Sequence, residues 1–156
     1  MNTIKQLATD LETLQTGNCW LGYNAHEILD GIDHTMAQVK AFEQGNSIWQ
    51  IVNHIAFWRQ LVAGCLGEKR AIEGNKTGMD APVTGSEAEW KETLGRFNNS
   101  FEQLNTAILN FDESMLFQPV GGKDSYYYII TGSLQHDAFH LGQIMMLKQK
   151  ARVSGK

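Results

Sequence analysis

Apolar residues recur along this chain at spacings of three and four, the period of helices that turn one face to a core. Ile4, Leu7, Ala8, Leu11 and Leu14 lay out the first stripe and predict a helix over 3–16, stopped by Gly17-Asn18. From Cys19 to Gly45 the pattern weakens. A short helix between Asn24 and Gly31 and a turn or two over 35–39 are expected there, with Ile28, Leu29 and Ile32 facing inward. Ser47-Ile48-Trp49-Gln50 has the form of a capping box. The helix it opens carries Ile48, Ile51, Val52, Ile55, Trp58, Leu61, Val62 and Leu66 and ends near Gly64 to Gly67. Ser86-Glu87-Ala88-Glu89 is a second capping box, followed by Trp90, Leu94, Phe97, Phe101, Leu104 and Ile108 at alternating spacings of four and three.

Two connections separate these stripes. Glu68 to Gly85, with three glycines and one of the two prolines, reads as a long loop, and loops of that length in compact domains are often functional. Asp112 to Asp124, holding Pro119 and Gly121-Gly122, reads as another. The run Tyr126-Tyr127-Tyr128-Ile129-Ile130 has the residue types of a strand. With no evident partner strand it is read as the start of a last helix that runs to about Lys150, its aromatic residues near a pocket mouth. Four substantial helices without a convincing strand pair predict an all-α protein, a four-helix bundle whose core can host metals on facing helices.

Composition narrows the function. The 156 residues suit one domain with a real core; 42% are hydrophobic and 19% charged, as in an ordinary globular protein. A net charge of −4 and the lack of a basic patch argue against nucleic-acid binding through phosphates. No apolar run approaches a membrane span, and the N-terminus lacks the apolar region of a signal peptide. Cys19 and Cys65, without a CxxC spacing, read as reduced thiols in a cytoplasm, Cys65 simply packed in its helix.

The chemistry centres on histidine. Ile129, Ser133, His136, His140, Ile144 and Leu147 share one face of the last helix, so His136 and His140 interrupt a core-facing stripe. Two buried imidazoles repel if charged and need partners if neutral. A shared metal ion removes both problems, because neutral imidazole is the commonest transition-metal ligand. One helix supplies two ligands this way; His54, on the apolar stripe of the helix from Ser47, is the candidate third. The bland alternative is a core histidine satisfied by a carbonyl, which suits His26 and His34 and would suit His54 standing alone. His136-Asp137-x-x-His140 also resembles the His-Glu-x-x-His helix of zinc proteases. The aspartate is a methylene too short for that role and the expected sheet is missing. Asp137 therefore reads as a group that orients a ligand or caps a surface.

Ser47-Ile48-Trp49-Gln50-Ile51-Val52-Asn53-His54-Ile55-Ala56-Phe57-Trp58, followed some eighty residues later by His136-Asp137-Ala138-Phe139-His140-Leu141-Gly142-Gln143-Ile144, resembles the DinB-like (DinB/YfiT) family. Cys19-Trp20-Leu21-Gly22 and Ile28-Leu29-Asp30-Gly31 extend the resemblance over nearly the whole chain. It implies an up-down-down-up bundle with a long crossover, often a homodimer, and a divalent metal, usually zinc or nickel, held by three histidines. On this chain those are His54, His136 and His140. Characterised members are thiol-dependent transferases and isomerases using low-molecular-weight thiols, and others are classed as metal-dependent hydrolases. The resemblance does not reach the substrate, and no general base is assigned. Asp137 and Gln143 are expected to hold the free ring nitrogens, and Trp58 with one or more of Tyr126 to Tyr128, Tyr127 the named candidate, to shape an apolar pocket over the metal. A metal-bearing bundle without catalysis, serving binding or assembly, is the reading from a different class.

Overall fold

The computed structural model describes residues 2–68, 78–79, 85–122 and 124–154. In chain order they form α1 (Thr3–Thr16), the short helices α2 (Ala25–Leu29) and α3 (His34–Ala37), then α4 (Ile48–Glu68) and α5 (Glu87–Leu109). A single 3-10 turn (Glu113–Met115), the two-residue strands β1 (Pro119–Val120) and β2 (Asp124–Ser125), and α6 (Tyr126–Ser154) complete the order. The chain is all-α in class. The hairpin departs from the expected helices and connections: β1 and β2 pair antiparallel, Pro119 with Ser125 and Val120 with Asp124. Gly121 and Gly122 turn the chain between them at φ 58° and 90°, conformations open mainly to glycine. Tyr126 follows at once as the first residue of α6, so the aromatic run is helical.

Helix starts follow the capping signals. Gln50 N–H donates to Ser47 Oγ at 3.2 Å while Ser47 N–H donates to Gln50 Oε1 at 2.9 Å. Ser86 and Glu89 form the same reciprocal pair at α5. Asn24 and Glu27 make a third at α2.

Two apolar clusters give the direction of each helix. One gathers Leu14 from the end of α1, α2, the starts of α4 (Ile48 to Ile55) and α5 (Trp90, Phe97), and the end of α6 (Leu141, Ile144, Leu147). The other gathers the start of α1 (Ile4 to Leu11), the ends of α4 (Val62 to Leu66) and α5 (Phe101 to Ile108), and the start of α6 (Tyr126, Ile130). The helices therefore run up, down, down, up. Since α4 and α5 are parallel, their connection crosses from one end of the bundle to the other. Of that connection, Gly78 lies against Phe57 midway along α4 and Gly85 against Trp49 at its start. The loop read over 68–85 otherwise lies outside the described residues.

Helix α4 packs most extensively on α5, then on α6, while α1 closes the other side against α5 and α6. Trp49 and Trp90 meet edge to face with centroids 5.2 Å apart, a pairing worth about 0.5–1.5 kcal/mol beyond the buried area. Their indole N–H groups are satisfied, Trp49 by Thr93 Oγ1 at 2.9 Å and Trp90 by the Ile32 carbonyl at 2.7 Å. The expected core residues Phe97, Phe101, Leu104, Ile51, Ile55 and Leu141 are buried, and Leu94 is half-buried against them. Cys65 is buried and reads as packing. No helix among the described residues is long and apolar enough to cross a membrane.

Candidate metal centre

Histidine placement follows from the helix stripes. His54 projects from α4, and His136 and His140 project from α6 one turn apart, near the level where one apolar cluster gives way to the other. The three rings converge, with centroids 4.8 Å apart for His54–His136, 4.6 Å for His54–His140 and 4.4 Å for His136–His140. One nitrogen from each lies within 4.8 Å of the others. Among the described residues no carboxylate or thiol joins this group. His54 and His140 are buried and His136 is half-buried.

The ring nitrogens are partly committed. His54 Nε2 and His136 Nε2 lie 2.9 Å apart, so one donates to the other. His140 Nδ1 lies 2.7 Å from Gln143 Oε1; with the amide oxygen accepting, the ring carries its proton on Nδ1 and turns Nε2 inward. Burial, reinforced by the neighbouring His136 and His54, lowers the His140 pKa from 6.5 to about 4, against the opposing pulls of Gln143 and Asp137. His140 is therefore neutral at pH 7, the form a metal requires. The nitrogens of the three rings are close enough together for one ion to be held by all three. The donor set fits a divalent transition metal.

Asp137 does not cap the surface. It is fully buried, and its Oδ2 accepts from Arg59 Nε at 2.5 Å, with Arg59 equally buried on α4. The Arg59 guanidinium lies over the Phe97 ring, 4.5 Å from its centroid. Arg59 escaped the sequence reading, although a signal was present. Ile48, Val52, Ile55, Arg59, Val62 and Leu66 sit at successive spacings of four and three, which places a charge on the most buried stripe of α4. Ile130, Leu134, Asp137, Leu141 and Ile144 do the same on α6 with the opposite charge.

Beside His136 opens a cleft of about 240 Å³ lined by Trp58, Val62, Tyr128, Ile129, Gly132 and Ser133. Trp58 stands 5.9 Å from the His136 ring and 6.2 Å from His54. Tyr127 does not line this cleft. Its ring lies against Phe117 with centroids 5.2 Å apart, and Tyr128 takes the expected place. At 3.6 residues per turn, successive side chains point about 100° apart, so one residue decides which tyrosine faces the site. A larger groove of about 710 Å³ lies between residues 41–46 and α6; Gln143 lines it, but none of the three histidines does. His26 is exposed and His34 half-buried against Glu87, 3.0 Å away, both outside the cluster.

A family model described as the DinB superfamily matches residues 21–144, most of the chain, including all three histidines and Gln143. The chain belongs to the DinB superfamily. No curated protein and no solved structure gave a match. The DinB match begins after α1 and ends within α6, covering all of α4 and the part of α6 that carries its histidines.

Proposed function

We propose that this DinB-superfamily chain is a metal-dependent enzyme of the cytoplasm that transfers a low-molecular-weight thiol to an apolar electrophile. His54, His136 and His140 hold one divalent ion, zinc or nickel. The observation that carries this reading is the convergence of three imidazoles beside an apolar cleft, with no carboxylate in the cluster or lining the cleft among the described residues. When bound, the ion supplies Lewis acidity that favours an incoming thiol in its thiolate form, the nucleophile. Gln143 fixes the His140 ring so that its free nitrogen faces the site. Trp58, Val62 and Ile129 form the apolar wall that receives the electrophile and excludes water. Asp137 is fully buried, pairs through Oδ2 with Arg59 and does not line the cleft. The family resemblance is what favours thiol transfer over hydrolysis, since a bound ion lowers the pKa of its water without help from a carboxylate.

The test is metal analysis of protein purified without a nickel column, followed by conjugation assays pairing small thiols with apolar electrophiles. One equivalent of metal and thiol-dependent product formation, lowered in Trp58→Ala through a raised KM, are expected. Ester or amide turnover without conjugation would replace the transferase by a hydrolase. Metal binding with neither activity would make the bundle a binding or assembly unit.

A further inference from the structure

Asp137 has two carboxylate oxygens, and only one is used. Oδ2 accepts from Arg59 Nε, whereas Oδ1 is buried with no hydrogen-bond partner. Nδ1 of His136 is likewise buried and without a partner, and it lies 3.6 Å from that same oxygen. The two atoms are complementary, since an imidazole N–H donates and a carboxylate accepts, but 3.6 Å is too long for a hydrogen bond. At its other nitrogen His136 meets His54 Nε2 at 2.9 Å, an arrangement in which one of the two Nε2 atoms carries a proton. A cation held between these rings needs both Nε2 lone pairs, so neither can stay protonated. The neutral His136 ring must then carry its proton on Nδ1, facing Asp137 Oδ1.

We propose that Arg59 and Asp137 act together as positioning residues for His136: Arg59 anchors the carboxylate, and the carboxylate accepts a hydrogen bond from His136 Nδ1–H and fixes the ring with Nε2 toward the cation. The inference rests on the three-histidine reading above and adds a second layer to it. Arg59 suits the task because it has no exposed surface, its guanidinium lies over Phe97, and Nη1 and Nη2 have no competing hydrogen-bond partner. A carboxylate behind a ligating imidazole raises the basicity of the ligand and holds its tautomer. Two stripes on facing helices thus carry, beside the ligands themselves, the ion pair that orients one of them.

The experiment measures zinc affinity by competition with a chromophoric chelator for the parent, Asp137→Asn, Arg59→Met and the double variant, each checked for folding by circular dichroism. Asp137→Asn is expected to weaken binding roughly 10- to 100-fold. Arg59→Met should weaken it as well, and the double variant should bind no worse than Asp137→Asn, because Arg59 acts only through Asp137. In the zinc-loaded parent, nitrogen NMR of the histidines should show His136 protonated at Nδ1. The double variant buries no unpaired charge, so it carries the comparison if a single one fails to fold. Binding by Asp137→Asn or by the double variant as tight as the parent's overturns the proposal while leaving the metal site intact. Losses that multiply in the double variant, or His136 protonated at Nε2 in the zinc-loaded parent, overturn it as well. A parent that binds no zinc overturns the three-histidine reading and this inference with it.

Discussion

Three imidazoles packed against one another are a liability in a core unless they are put to use. Each one charged repels its neighbours, and each one neutral needs partners on both nitrogens. The consequence for mutation is asymmetric. His54→Ala should abolish stoichiometric metal binding, because two ligands on one helix do not enclose an ion, yet it should leave the cooperative unfolding of the bundle intact. Calorimetric titration with zinc beside thermal unfolding checks both halves; full metal occupancy in His54→Ala would refute the site. Protonation gives a second handle. With its pKa lowered to about 4 by burial, His140 stays neutral in the folded chain where the unfolded chain, at 6.5, already takes a proton. The stability linked to His140 is therefore fully present above pH 6.5 and is lost as pH falls from 6.5 toward 4. Measured with a chelator present, the urea midpoint should drop less steeply across that window in His140→Gln than in the parent.

At the level of the elements, Lys148 is one of the side chains that tie the irregular part of the chain to the bundle, beside Lys150, which donates to the carbonyls of Lys40 and Ala41. Lys148 of α6 is buried and donates from Nζ to the carbonyls of Ile28 at 2.8 Å and Asp30 at 2.5 Å, at the end of α2. Those carbonyls are left unpaired by the helix that ends there, and a cation is the favoured partner for them. Burial lowers the Lys148 pKa, so the geometry holds the ammonium against its own desolvation. Hydrogen bonds to a charged group are worth roughly 1.5–3 kcal/mol, and Lys148→Met should cost about that much. Faster amide exchange confined to α2 and the turn after it, with α4 and α5 unchanged, is the expected signature. A uniform acceleration across all helices would show that the clamp is not local.

For the molecule as a whole, the up-down-down-up order places both histidine-bearing helices side by side while α5 backs α4 and α1 closes the far side. Such a bundle should give a circular dichroism spectrum dominated by helix, the two-residue hairpin contributing almost nothing. The family resemblance leads us to propose that the chain works as a homodimer. Light scattering should return twice the chain mass; a monomer mass across the micromolar range would remove that proposal.

Much of this was legible from spacing alone, because local preference and global packing agree along the long helices. The α1 stripe with its stop at Gly17, the Ser47 and Ser86 capping boxes and the α5 stripe are set by side chains a few residues apart. The histidines were legible for the same reason: His136 and His140 are one turn apart on a stripe that must face inward, and His54 interrupts the matching stripe of α4. Partnership across helices is another matter. That Asp137 meets Arg59 depends on the register of α6 against α4, over 78 residues of separation, and no local pattern encodes that register. The choice of Tyr128 over Tyr127 at the cleft turns on the start of α6, which the hairpin before it places at Tyr126. Sequence by itself determined the long helices and the stripe positions of the histidines. Only the tertiary structure decided which side chains meet, because a contact between distant residues is settled by how whole helices pack.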